Sequence, residues 1–247
     1  MSTAAHGEKA RQARSFGAAA EEYERGRPSY PAEAIAWLVP EDARVVVDVG
    51  AGTGKMTRAL GAPGREVIAV EPSAGMREQF ARVLPEVELL MGTAEAIPLP
   101  DATADVLVYA QAWHWVDPER AIPEAARVLR PGGLLGLVWN TRDVSEPWIA
   151  ELDRILRERE TAQLPRHRPA VHEPFGALER HDVRWNQPTT PEEILDMIAS
   201  RSYVITMAPI ARQELLDSVW TLVDAERPTA IPYVTECYRA ALERPAS

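Results

Sequence analysis

Asp48-Val49-Gly50-Ala51-Gly52-Thr53-Gly54-Lys55 is the stretch that decides the fold of this chain. A β-branched run over residues 44–49 precedes it and reads as a buried strand. Residues 54–60 follow as a helix stopped by Gly61. The glycines let the backbone turn sharply and come close to a ligand. In open parallel sheets ligands bind at such turns, outside the carboxyl ends of the strands. The spacing discriminates among glycine-rich loops. A dinucleotide fingerprint needs a third glycine where Lys55 stands. A phosphate-binding P-loop needs glycine at Val49 and Ser or Thr at Met56. What remains is acidic-x-G-x-G-x-G.

Outward from this loop the chain alternates strands and helices. Strands are expected at 66–70, 87–91, 104–110 and 134–139, and helices at 73–84 and 117–130. Pro123 predicts a kink or a late start in the second of these helices, and Pro131-Gly132-Gly133 breaks it. Nearly continuous apolar strands between helices mean an α/β chain with a parallel sheet covered on both faces. Before the loop, apolar spacing predicts helices at 10–24 and from Pro31 onward. After Asn140 the rhythm changes. A charged amphipathic helix is expected at 146–160, a loop at 161–176 and a strand at 177–185. Thr190-Pro191-Glu192-Glu193 has the form of a capping box and starts a helix running to about Ala199. Another helix covers 209–224, and a last strand covers 233–239 with Pro232 marking its start.

Composition sets the outer limits. The 247 residues are 46% hydrophobic and 26% charged, a globular balance. Lys and Arg number 27 against 37 Asp and Glu, a net charge of −10, which disfavours a nucleic-acid partner. The longest apolar runs, such as that from Leu134 to Trp139, fall far short of the roughly 18 residues that span a bilayer. With one cysteine, Cys237, and no apolar leader, the chain is expected to be cytoplasmic. His6, His167, His172 and His181 form no ligand cluster at metal spacing, so no metal is expected. Arg166-His167-Arg168 is a small basic patch in the expected loop.

Further motifs follow the loop in order. Glu71 ends the second strand, 23 residues after Asp48, and opens Glu71-Pro72-Ser73-Ala74-Gly75-Met76. Then come Gly92-Thr93-Ala94-Glu95-Ala96-Ile97-Pro98, Ala104-Asp105-Val106, Gln111-Ala112-Trp113-His114-Trp115, and Arg127-Val128-Leu129-Arg130-Pro131-Gly132-Gly133. Arg27-Pro28-Ser29-Tyr30-Pro31 precedes them all. Through these motifs residues 15–140 resemble the class I S-adenosylmethionine-dependent methyltransferases, in particular the small-molecule group of ubiquinone-biosynthesis and trans-aconitate methyltransferases. The remainder matches more loosely.

That resemblance implies a Rossmann-like, doubly wound, mostly parallel seven-stranded sheet in the order 3-2-1-4-5-7-6. The last strand is antiparallel and a helical cap covers the site. It implies one domain over residues 1–247, with an N-terminal cap segment (1–40), a cofactor core (41–140) and C-terminal strands and cap (141–247). It implies methyl transfer from S-adenosylmethionine to a small-molecule acceptor. The expected cofactor residues are Arg27, Asp48, Gly50, Gly52, Glu71, Pro72, Met76, Thr93, Ala94, Glu95 and Gln111. Tyr23, Tyr30, Trp113 and Trp115 are expected around the acceptor.

Several roles have two readings. Asp48 either fixes the glycine loop or meets the methionine amino group. Glu71 suits the ribose hydroxyls. Met76 either covers the adenine or belongs to the core. The family often has Asp where Thr93 stands, so Glu95 or backbone takes over that contact if Thr93 does not. Arg27 has the fork geometry for the methionine carboxylate. Trp113 and Trp115 either wall the pocket or pack the sheet end. His114 is the candidate general base, its ordinary pKa lying near neutrality. An acceptor that is already anionic needs no base, and the Trp-His-Trp alternation turns His114 away if the tryptophans face the site. The rival readings are a cofactor-binding protein without methyl transfer and a nucleotide-dependent oxidoreductase, the latter opposed by the absent third glycine.

Overall fold

The computed structural model describes residues 28–157 and 169–243. The expected helix at 10–24, together with Tyr23, Arg27 and the patch at 166–168, lies outside the described residues. The elements run in order α1 (Ala32–Leu38), β1 (Val45–Val49), α2 (Lys55–Leu60), β2 (Glu66–Val70), α3 (Ala74–Val83), β3 (Glu88–Leu90) and β4 (Ala104–Ala110). Then follow α4 (Pro118–Val128), β5 (Leu129–Arg142), α5 (Pro147–Arg157), β6 (Glu179–Pro188), α6 (Pro191–Ala199), α7 (Ser202–Ile205), α8 (Pro209–Glu226) and β7 (Ala230–Ala241).

The strands form one seven-stranded sheet in the order β3-β2-β1-β4-β5-β7-β6. β1 pairs in parallel with β2 and β4, β2 with β3, and β4 with β5, whereas β7 runs antiparallel to both β5 and β6. The expected order and the antiparallel last strand are both found.

Alternate residues of the central strands divide between two cores. Val47, Ile68, Leu107 and Leu135 face Ile122, Ala125 and Val128 of α4. Val46, Val106, Val108 and Val138 face Ile35 and Leu38 of α1 and Met56 and Leu60 of α2. A third cluster stands apart. Ile149, Leu152 and Leu156 of α5 meet Ile194 and Ile198 of α6, Leu215, Val219 and Val223 of α8, and Ile231 and Tyr233 at the start of β7. This helical cap sits where β5 ends, on the same carboxyl edge as the glycine loop.

Four sequence expectations change. Pro123 neither delays nor ends α4, which starts at Pro118 with the Asp117 carboxylate accepting from the Glu119 amide at 3.3 Å. That helix stops at Val128 rather than Arg130. Pro131-Gly132-Gly133 lies within β5 as an excursion, since β4 advances from Ala104 to Val106 while β5 advances from Leu129 to Leu134. Pro232 stands third in β7, not first. It pairs with Asn186 of β6 beyond the point, at Tyr233, where pairing with β5 begins, so its missing N–H interrupts no β5 ladder. The short helix α7 and a 3₁₀ turn at Trp113–Trp115 carry no periodicity that could have announced them. The capping box is present, with the Glu193 amide donating to Thr190 Oγ1 and the Thr190 amide donating to Glu193 Oε2.

Two of the sequence motifs serve the fold. Asp105 accepts from the Arg44 and Val45 amides at 2.7 and 2.8 Å and from Arg130 at 2.6 Å, tying the start of β1 to β5. Arg127 donates to Glu124, Asp101 and the carbonyls of Ile97 and Leu99, holding the loop before β4.

Candidate active site

A cleft opens at the carboxyl edge between β1 and β4. Gly50–Thr53, Lys55 and Met56 line one side, Ala110, Gln111 and Asn140 another, and Pro28 and Tyr30 the mouth. It arises because β1 and β4 are adjacent while the chain leaves them toward opposite faces of the sheet, the arrangement that makes ligand crevices in open α/β folds.

The glycines divide by what surrounds them. Gly52 has φ of +57°, and a side chain there would meet nothing within 4 Å, so its face is open to the cleft. Gly54 has φ of +93°, and a Cβ there would lie 2.6 Å from Leu84 Cδ1, so this residue serves the packing of α3. Gly50 also has positive φ and sits against Ala112.

Two buried carboxylates back the loop. Asp48 is fully buried, and its Oδ2 accepts from the Thr57 hydroxyl at 2.6 Å. Its Oδ1 is buried with no hydrogen-bond partner among the described residues. Burial pushes the Asp48 carboxyl up to about 7; the Thr57 hydroxyl pulls it down and the charge of Glu71 pushes it up further. Glu71 is 6% exposed. It accepts from the Gly52 amide at 2.9 Å and from the Ser73 amide at 2.8 Å, which locks the loop to the end of β2. Burial raises its carboxyl, and these backbone donors restrain the rise.

The structure brings Tyr30, Gly50, Gly52 and Gln111 into one cleft, with Glu71 one hydrogen bond behind it. The other expected residues lie elsewhere. Met76 is buried on α3 and Pro72 is exposed. Thr93 is exposed in a tight turn closed by reciprocal hydrogen bonds with Ala96, and Ala94 packs into the core below α4. Glu95 accepts from the Asp117 amide at 3.0 Å, securing the start of α4. Trp113, expected as a pocket wall, is instead core: it is 4% exposed and packs edge-on to Tyr109 at 4.9 Å, because the 3₁₀ turn directs it inward. Trp115 is half-buried and tilted against His114 at 4.8 Å. His114 is not among the residues lining the cleft, and its Nδ1 accepts from Trp139 Nε1 at 3.4 Å, which in the neutral ring leaves the proton on Nε2.

Sequence reasoning missed Asn140. Its Oδ1 accepts from the Thr235 hydroxyl at 2.6 Å, its Nδ2 donates to the Ser29 carbonyl at 2.9 Å, and its carbonyl accepts from Gln111 Nε2 at 2.9 Å. The available signal was its place: a polar residue directly after the apolar fifth strand, at the edge where ligands bind. Gln111 itself has φ of +54°, a strained position for a residue with a side chain.

An uncharacterized methyltransferase of Mycobacterium tuberculosis is 51% identical to this chain over 236 residues, covering 92% of this chain and 96% of the relative. This chain belongs to the methyltransferase family. The model of the methyltransferase domain matches residues 47–137 of this methyltransferase, from β1 into β5. A solved structure described as a candidate type II methyltransferase from Anaeromyxobacter dehalogenans is 25% identical, with a TM-score of 0.68 over 88% of this chain and 97% of that one. The solved structure of a [4+2]-cyclase shares the fold at a TM-score of 0.52 and 20% identity, covering 88% of this chain and 84% of that one.

Proposed function

We propose that this methyltransferase takes its methyl group from S-adenosylmethionine and passes it to a small-molecule acceptor, in the manner of the ubiquinone-biosynthesis and trans-aconitate group. The observation that supports this most directly is the cleft of open Gly52 backed by Asp48, whose second oxygen is buried without a partner. A buried unpaired carboxylate oxygen is costly, and a cationic ligand group would satisfy it. The methionine ammonium of the cofactor is such a group.

The bound cofactor would supply a methyl group on a cationic sulfur. This chain's residues would do the rest. Gly50 and Gly52 admit the methionine part close to the backbone. Glu71 orients Gly52 and, through its remaining lone pairs, holds the ribose hydroxyls. Gln111 and Tyr30 bound the space beyond. Positioning carries most of the rate in an in-line displacement. Where the nucleophile carries a proton, His114 would accept it only by releasing its Nδ1 from Trp139, with Trp115 beside it. Residues 1–40 and 141–247 would act with the 41–140 core as one unit, the acceptor lying under the cap.

Calorimetric titration of the full chain with S-adenosylmethionine tests this reading. Binding is expected, with none for NAD. Absence of binding at millimolar cofactor overturns the cofactor assignment. Product analysis over carboxylates, phenols and amines then tests transfer, and binding without turnover on any of them would favour a non-methylating role.

A further inference from the structure

Four hydrogen bonds connect three strands to both sides of the cleft. Trp185 Nε1 of β6 donates to Thr235 Oγ1 of β7 at 2.8 Å, and the Thr235 hydroxyl donates to Asn140 Oδ1 of β5 at 2.6 Å. Asn140 Nδ2 donates to the Ser29 carbonyl at 2.9 Å, and Gln111 Nε2 donates to the Asn140 carbonyl at 2.9 Å. Thr235 is completely buried.

The chemistry of the two ends gives this chain a single direction. An indole N–H can only donate and a backbone carbonyl can only accept. The Thr235 hydroxyl has one proton, and the Asn140 Oδ1 that faces it can only accept, so that proton goes to Asn140. The Asn140 amide presents its oxygen to Thr235 and its NH₂ to Ser29. Reversing the amide would set acceptor against acceptor at Ser29 and take the Asn140 oxygen away from the Thr235 proton.

We propose that this relay holds the 28–30 segment over the glycine loop. Asn140 is the positioning residue that joins the roof of the cleft, through Ser29, to its wall, through Gln111. The Ser29 carbonyl sets which way the Asn140 amide faces, and Thr235, held by Trp185, ties down its oxygen. Neither Thr235 nor Trp185 lines the cleft, so their effect on ligand binding passes through Asn140. The inference rests on the reading of the cleft as a cofactor site.

The test compares Thr235→Val, Thr235→Ser and Trp185→Phe in the full chain. Deuterium uptake of the peptide carrying Ser29 and Tyr30 is read without ligand, and affinity for S-adenosylhomocysteine is read by calorimetry. Thr235→Val should speed exchange at 29–30 and weaken binding roughly tenfold, the scale of leaving a buried polar partner unmatched. Thr235→Ser keeps the hydroxyl and should restore both readings. Unchanged exchange at 29–30 in Thr235→Val overturns the relay. So does a Thr235→Ser variant as impaired as Thr235→Val, since packing of the threonine methyl would then be the cause. If Thr235→Val does not fold, Trp185→Phe decides, because it removes the donor at the start while keeping an aromatic ring against Tyr233: faster exchange at 29–30 is expected, and wild-type exchange overturns the relay. If the wild type binds no S-adenosylhomocysteine, the cofactor reading falls while the exchange data still judge the relay.

Discussion

In the glycine loop, Gly52 and Gly54 share a left-handed backbone and little else. Gly54 is enclosed by Leu84 and Phe80, so Gly54→Ala should cost about 2–4 kcal/mol in denaturant unfolding, from strain plus overpacking. Gly52 faces open space. Gly52→Ala should cost only about 1–2 kcal/mol of stability and appear mainly as lost cofactor affinity in calorimetry. Asp48 gives a signature in pH. Its carboxyl keeps its proton up to about 7 in the folded chain, against 3.8 ordinarily, so the folded state binds the extra proton. The stability this group contributes is complete below its ordinary pKa and is lost as the pH rises toward 7, at about 1.4 kcal/mol per pH unit. Asp48→Asn should flatten that slope in urea titrations between about pH 4 and pH 7 while weakening cofactor binding.

Among the elements, those read most faithfully from sequence are those whose cause is local. β2 and β4 start and stop where the apolar runs do, and the Thr190 box caps α6 because Thr and Glu stand three residues apart. Thr190→Ala should therefore cost about 1 kcal/mol in thermal unfolding and leave cofactor affinity untouched. α4 shows the limit of local reading. Proline in a helix interior is unfavourable, yet the burial of Ala121, Ile122, Ala125 and Val128 holds this turn helical. Pro123 is exposed, so Pro123→Ala should raise stability by about 1 kcal/mol by restoring an N–H donor. The same division runs through the site. The glycine loop and Glu71 were legible because neighbours in sequence make them. Asn140 was not, because its partners Ser29, Gln111 and Thr235 come from three distant places in the chain. Position after the fourth strand left Trp113 open to the pocket or to the sheet end, and the 3₁₀ turn that sends it into the core has no sequence period to announce it.

At the scale of the molecule, the cap has its own core, which meets the sheet at Ile231 and Tyr233 of β7, and polar links join the two as well. One is the Arg142–Asp153 pair at 2.6 Å, with the side chains 11% and 13% exposed. Burial raises the Asp153 carboxyl, but Arg142 and Arg157 more than offset this and hold it below the usual range. The stability from this group is present above its ordinary pKa and lost as the pH falls through the folded value. Asp153→Ala should cost about 3 kcal/mol by leaving Arg142 buried without its partner. Hydrogen exchange should locate the loosening in α5–α8 and leave β1–β4 protected.

The position of β7 bears on the order of assembly. The strand that comes last in the chain lies between β5 and β6, so β6 leaves the ribosome with no neighbour to pair with. Val183 and Trp185 must wait, unpaired, for more than forty residues of later chain. Trp185 also begins the relay that ends at Ser29, near the other end of the described chain. On the proposed relay, the Asn140 amide that fastens the roof gains its Thr235 support only after β7 has closed the sheet. A ligand that needs the roof in place recognises, in effect, a finished chain, and nascent or truncated forms lacking β7 would leave the cofactor in solution.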